Sequence, residues 1–212
     1  MKILALDSSG LVASVAVVEN DTLLAEYTVN YKKTHSQTLL PMLDEISNMT
    51  ELDLSTIDAI AVAGGPGSFT GLRIGSATAK GLGLALEKPL ISIPTTAAIA
   101  YNIWDTDKFV CPIMDARRNQ VYTGVYCYTD HRLDTVWEQD TMSIEALAEG
   151  LNCLDHEVIF LGDGVAVYRE KLEALLTIPF SFAPAHVNRQ RAAAVGALAE
   201  VYYKEGKIQT AE

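Results

Sequence analysis

Ala63-Gly64-Gly65-Pro66-Gly67-Ser68-Phe69-Thr70-Gly71-Leu72-Arg73-Ile74-Gly75 is the stretch on which the fold turns. It follows an apolar run, Ile57 to Val62, that reads as a buried strand, and it leads into Leu72 to Leu86, which reads as a helix. It is therefore a strand–loop–helix turn. Gly64, Gly65 and Gly67 permit positive φ and close backbone approach, and Pro66 fixes φ between them. Ser68 and Thr70 are both candidates to cap the helix. Two readings fit this pattern: an anion site at a helix N-terminus, or a tight structural turn. The phosphate-loop pattern needs Lys beside Ser or Thr after its last glycine, and here Leu72-Arg73 follow Gly71.

The helix that follows has Gly71, Gly75, Ala79 and Gly83 at every fourth position, so one face carries almost no side chain. Each interior glycine costs about 1 kcal/mol against alanine. Another backbone packing closely on the bare face would offset that cost. Its own sheet and the helix of another chain are equally good candidates for that neighbour.

Working outward, Ile3 to Leu6, Val12 to Glu19 and Leu23 to Val29 read as an antiparallel meander, with Asn20-Asp21 as the hairpin turn. The first strand ends at Asp7-Ser8-Ser9, a place for ligand-binding groups or for a turn closed by its own side chains. Ser36 to Met49 shows Leu39, Met42, Leu43, Ile46 and Met49 at helical spacing. Pro89 to Ile93 is a strand, and Ala97 to Trp104 a helix. After a polar break at 105–108, the order repeats: a strand from Phe109 to Met114 ending at Asp115, a strand from Gln120 to Tyr128, a turn at Asp130-His131-Arg132, and a strand from Leu133 to Glu138. Asp7 and Asp115 hold matching places in two similar halves, 1–104 and 105–212. Ser143 caps a helix over Ile144 to Ala148, Val158 to Leu161 ends at Gly162-Asp163-Gly164, Val167 to Leu176 is helical, and Asn188 caps a last helix, 188–204, that packs back on the first half.

Composition limits what the chain does. Of 212 residues, 49% are hydrophobic, which supplies a core, and the net charge is −11. Nucleic-acid affinity rests on Lys and Arg, so a chain this acidic meets RNA indirectly, through another protein. Cys111, Cys127 and Cys153 form no C-x-x-C pair, which argues for a reducing compartment, hence the cytoplasm, and against a cysteine zinc site. No apolar run approaches the roughly 18 residues of a membrane helix. His35, His131, His156 and His186 are scattered; His35 reads as a helix-entry cap or surface contact. Arg117 and Arg118 read either as an anion contact or as a pair that solvates a strand end.

Gly65-Pro66-Gly67-Ser68-Phe69-Thr70-Gly71-Leu72-Arg73-Ile74-Gly75 closely resembles the signature of the TsaB (YeaZ) family, which takes part in forming threonylcarbamoyladenosine in bacterial tRNA. Ile3 to Ser9, Thr34-His35-Ser36-Gln37 through Leu40-Pro41, and Met114-Asp115-Ala116-Arg117-Arg118 through Val121-Tyr122 agree, in the family's order and across nearly the whole chain. Family members commonly continue into a Pro-x-Tyr-Leu-Arg segment that these 212 residues do not contain.

The resemblance implies an α/β fold of the actin-like, sugar-kinase-like ATPase class (ASKHA), with two subdomains, each a β-meander plus helices. It places a vestigial or weak nucleotide cleft at Asp7, Ser8, Ser9, Asp115, Gly162 and Gly164, with ATP or ADP bound weakly and no cofactor or metal required. It implies a non-catalytic scaffold that binds the transferase TsaD during modification of position 37 in ANN-decoding tRNAs. TsaE joins the larger assembly, and a homodimer forms when the chain is alone. TsaD holds its metal through H-x-x-x-H, a pair absent from this sequence. The partner face is expected at Leu39, Met42, Leu43, Ile46, Leu72, Gly75, Ala79, Leu82 and Gly83. The competing reading is an ATP-binding or ATP-hydrolysing enzyme that uses Asp7 and Asp115. A metalloprotease is disfavoured, since the sequence has no H-E-x-x-H.

Overall fold

The computed structural model describes residues 1–30 and 38–211; the connector around His35 lies outside the described residues. The chain forms two compact units, Met1–Ala98 with Gln190–Glu212, and Ile99–Arg189. It passes between them at Ala98–Ile99 and again at Arg189–Gln190, so the last helix belongs to the first unit.

The first unit is built on β1 (Lys2–Asp7), β2 (Ala13–Glu19), β3 (Thr22–Val29), β4 (Ala59–Gly65) and β5 (Leu90–Pro94), in the order β3-β2-β1-β4-β5. The three N-terminal strands are antiparallel, and β4 and β5 run parallel to β1. Asn20 and Asp21 both take positive φ (49° and 62°) at the β2–β3 turn, as a tight hairpin requires. Successive strand residues face opposite ways. Leu4, Leu6, Val15, Val17, Ile60 and Val62 therefore share one face, packed under α1 (Leu39–Thr50) and α2 (Phe69–Leu86). Ala5 and Val18 face the other way and meet Gly196 of α6 (Ala192–Lys204); a Cβ at Gly196 would lie 2.7 Å from the Val18 side chain.

The start of α6 is capped by the sheet. Its own N-cap, Arg191, supplies no side-chain cap. The Ser14 hydroxyl accepts from the Ala192 N–H at 2.9 Å, and Glu26 accepts from the Ala193 N–H at 3.1 Å and from Arg191 Nε at 3.1 Å. At the other end of the β2–β3 hairpin, the Asp21 N–H donates to Glu200 of α6 at 2.9 Å. These bonds fix α6 to a hairpin far away in sequence. Ser14, the polar residue inside an apolar strand, is buried for this reason.

The second unit repeats the plan. Strands β6 (Phe109–Arg117), β7 (Gln120–Thr129), β8 (Arg132–Ser143), β9 (Val158–Leu161) and β10 (Phe180–Phe182) lie in the order β10-β9-β6-β7-β8. Again three are antiparallel and two run parallel to the first. Asp130 and His131 repeat the paired positive φ of Asn20 and Asp21. Helices α4 (Ile144–Leu154) and α5 (Val165–Leu175) bury Ile144, Leu147, Leu151, Val165 and Leu172 against Ile113, Val121, Val125 and Phe160.

Several boundaries differ from the sequence reading. The helix expected over Ala97 to Trp104 is α3 (Thr95–Ala100), and tight i→i+3 bonds from Asn102 and Ile103 end it. Asn188 does not cap the last helix. Its side chain accepts from the Gly162 N–H at 3.0 Å instead, and α6 begins at Ala192. Strand β10 falls in the connector between Pro179 and Pro184, where the prolines hide it. The expected caps Ser68 and Ser143 do accept from the N–H three residues on.

Candidate functional site

The first turn is buried: Asp7, Ser8 and Ser9 are all at most 2% exposed. Asp7 Oδ1 accepts from the Ser9 N–H at 2.8 Å and the Ser9 hydroxyl at 2.6 Å. The Ser8 hydroxyl donates to the Gly71 carbonyl at 2.8 Å. The Ser9 carbonyl accepts from the Ser68 N–H at 2.7 Å, and a Cβ on Gly67 would sit 2.2 Å from that same oxygen. The glycine loop therefore lies directly on the first turn. Its glycines admit this approach, and both serine hydroxyls are engaged within the unit.

The matching turn of the second unit has different surroundings. Asp115 is exposed. Its carboxylate accepts from the Arg117 N–H at 2.9 Å and the Tyr168 hydroxyl at 3.0 Å, and its own N–H donates to Asp163 at 3.2 Å. Gly162 has φ +104°, and a Cβ there would lie 2.2 Å from the Ile113 carbonyl oxygen. The Gly164 N–H donates to that carbonyl at 3.0 Å. Both glycines are thus required by the close passage of the β9 end over β6. Among the described residues, no three His, Cys, Asp or Glu side chains converge as metal donors.

The residues expected to face a partner need correction. Leu39, Met42, Leu43 and Ile46 are buried in the core of the first unit. Gly75, Ala79 and Gly83 turn inward as well. A Cβ on Gly75 would meet Ser8 and Val62, and one on Gly83 would meet Leu90 and Ala211. Leu72 and Leu82 are half-buried beside them. The bare stripe lets α2 settle onto its own sheet, which is the nearest backbone available. Helical spacing marks the stripe but carries no information on what lies over it.

The opposite face of α2 is the one left open. It shows Phe69 (69% exposed), Arg73, Ala77, Lys80, Gly81 and Leu84 (58% exposed). The Arg73 guanidinium stacks 4.0 Å from the Phe69 ring, and a Cβ on Gly81 would meet nothing within 4 Å. Leu40 and Met49 on α1 are also exposed. The i, i+4 spacing of Phe69, Arg73 and Ala77 signals this second face, but the glycine stripe masks it.

Residues 22–211 match the family model described as TsaD, tRNA N6-adenosine threonylcarbamoyltransferase. The chain is 35% identical over 176 residues to the tRNA threonylcarbamoyladenosine biosynthesis protein TsaB of Bacillus subtilis, covering 83% of this chain and 77% of that one. YeaZ from Pseudomonas aeruginosa superposes with a TM-score of 0.85 at 27% identity, over 99% of this chain and 95% of that one. A ROK hexokinase from Thermus thermophilus, at 14% identity and a TM-score of 0.52 over 97% and 100% of the two chains, shares the fold, which is the actin-like, sugar-kinase-like class. The chain belongs to the TsaB (YeaZ) family of tRNA threonylcarbamoyladenosine biosynthesis proteins, within the wider family that the TsaD model describes.

Proposed function

We propose that this chain is a non-catalytic subunit in the formation of threonylcarbamoyladenosine in tRNA, at position 37 of ANN-decoding tRNAs, and that it binds and supports a TsaD transferase. The observation that carries the reading is the outward face of α2, where Phe69, Leu84 and the bare Gly81 stand open beside Arg73 and Lys80. Exposed apolar groups gathered on one helix mark an interaction site. The same face joins two copies when the transferase is absent, and TsaE joins the larger assembly. The role requires no cofactor: Ser8 and Ser9, expected in a nucleotide cleft, already spend their hydroxyls inside the unit.

Reconstitution tests the role. This chain, TsaD, TsaE, tRNA and the activated threonylcarbamoyl donor are combined, and then this chain is omitted. Equal modification without it sinks the proposal. The face is tested by Gly81→Leu, which should leave the melting temperature of the isolated chain unlowered, since it replaces an open helical glycine, and weaken TsaD binding in calorimetry by tenfold or more. Titration with ATP, with and without magnesium, tests the enzyme alternative; turnover by this chain alone would replace the scaffold reading.

A further inference from the structure

The turn between β6 and β7 holds the longest run of left-handed residues among the described residues. Arg117, Arg118 and Asn119 take φ of 65°, 52° and 63°; Arg118 and Asn119 are the pair that a tight hairpin requires, as at Asn20-Asp21, and Arg117 adds a third left-handed residue beside the bulge at Asp115. L-residues resist this conformation, and a run of three persists only where the surroundings dictate it. The surroundings here do. Asp115 accepts from the Arg117 N–H and is itself fixed by Tyr168. The Asn119 amide donates to Glu145 at 2.6 Å, its oxygen accepts from Lys171, and its carbonyl accepts from the Ile144 N–H. Lys171 closes the brace with an ion pair to Glu145 at 3.1 Å.

This brace holds two exposed guanidinium groups at the tip of a hairpin. Arg117 and Arg118 are the one adjacent pair of Lys or Arg among the described residues. Within the second unit, Lys108 pairs with Glu157, Arg169 with Glu173 and Lys171 with Glu145. Among the described residues, Arg117 and Arg118 form no such pair, in a chain of net charge −11. Of the acids at this turn, Glu145 is paired with Lys171, Asp115 accepts from the Tyr168 hydroxyl and the Arg117 N–H, and Asp163 accepts from the Asp115 N–H. A rigid, strained turn that presents two unspent guanidiniums fits an anionic partner. The planar guanidinium fork matches phosphate oxygens, and two adjacent forks span neighbouring phosphates.

We infer that Arg117 and Arg118 contact the phosphate backbone of the tRNA, so that this acidic chain touches the RNA at one local point. The inference rests on the tRNA-modification reading given above. On this inference, the expectation that the chain meets RNA only through its partner gives way at this turn.

The test uses the complex of this chain with TsaD and a fluorescent tRNA, with affinity measured by anisotropy across a range of salt concentrations. Arg117→Gln with Arg118→Gln should weaken binding by tenfold or more and flatten the salt dependence by about 1.5 to 2 in log–log slope, as expected for two lost phosphate contacts. Lys in both places should restore most of the slope. Lys88→Gln with Lys204→Gln removes the same charge from the first unit and should leave the slope near wild type. Equal affinity and slope in the Arg117/Arg118 variant overturns the contact alone. So does loss of TsaD binding by that variant in sedimentation, which would assign the pair to a protein surface. A wild-type complex that assembles and binds no tRNA overturns the tRNA-modification reading, and the contact with it.

Discussion

The Ser8 hydroxyl stands 2.4 Å from where a Cβ on Gly75 would be, and it donates to the Gly71 carbonyl at 2.8 Å. One side chain thus fastens the first turn to α2 and explains why α2 is bare at that level. Gly75→Ala should destabilise the chain by about 1–3 kcal/mol through overpacking, reduced by up to about 1 kcal/mol of helix propensity. In a Ser8→Ala background the next contact is Val62 at 3.5 Å, an ordinary distance, so the same change should be neutral or stabilising. A double-mutant cycle by urea denaturation should show coupling of at least about 1 kcal/mol. Additivity within about 0.5 kcal/mol would show that Ser8 and Gly75 are independent.

Two other glycines should respond in opposite directions. Gly162 combines φ +104° with a Cβ position 2.2 Å from a backbone oxygen, and neither strand end can move far. Gly162→Ala should cost at least about 3 kcal/mol. Gly81 is helical, exposed and has no neighbour at its Cβ, so Gly81→Ala should stabilise the isolated chain by up to about 1 kcal/mol. Thermal denaturation of the two variants checks the ranking, and the reverse order would reject this account of both sites.

The repeated architecture was legible because each half carries the same local signals: an apolar run, an acidic turn, alternation, and a tight hairpin turn. Asn20-Asp21 and Asp130-His131 take the same conformation in matching hairpins. The caps at Ser68 and Ser143 were legible for the same reason, since cap and N–H lie three residues apart. What the sequence hid is long-range. Ser14 and Glu26 cap a helix that starts more than 160 residues later, and no local pattern announces it. The direction of the glycine stripe on α2 is hidden likewise, because a bare helix face suits any close neighbour. At the first turn, Asp7-Ser8-Ser9 fitted both a ligand and a closed turn. The position of Gly67 over the Ser9 carbonyl, unknowable without the pairing of β1 with β4, is what spends those groups internally.

Glu26 is the residue on which the docking of α6 most depends. It is 12% exposed at its side chain, it pairs with Arg191, and it accepts from the Ala193 N–H. Glu26→Ala leaves a half-buried guanidinium without a partner and a helix start short of one cap. The two losses together should cost about 2–4 kcal/mol. Hydrogen exchange should localise the effect, with faster exchange at the first amides of α6. Protection there equal to wild type would mean that Ser14 alone holds the helix start.

Tyr168 gives the second unit a measurable alkaline limit. Its hydroxyl donates to Asp115 at 3.0 Å and shares the Gln120 carbonyl at 3.3 Å. Burial first, and then the bond to the Asp115 carboxylate, push the phenol up to about 12 from its usual value of 10.0. The unfolded chain loses this proton as pH rises through about 10, while the native chain keeps it until about 12. The native state then binds more protons, so stability is fully present below pH 10 and falls across the window to about 12. Tyr168→Phe removes the titrating group along with its bond to Asp115. At neutral pH that variant should be less stable than wild type by about 1 kcal/mol, the usual net worth of such a bond. Because the other tyrosines titrate in both proteins, the informative quantity is the stability difference between wild type and variant, measured in urea at neutral pH, at about 10.5 and at about 11.5. That difference should shrink steadily as pH rises. A difference constant across the window would mean that Tyr168 ionises alike in both states and does not brace the Asp115 turn.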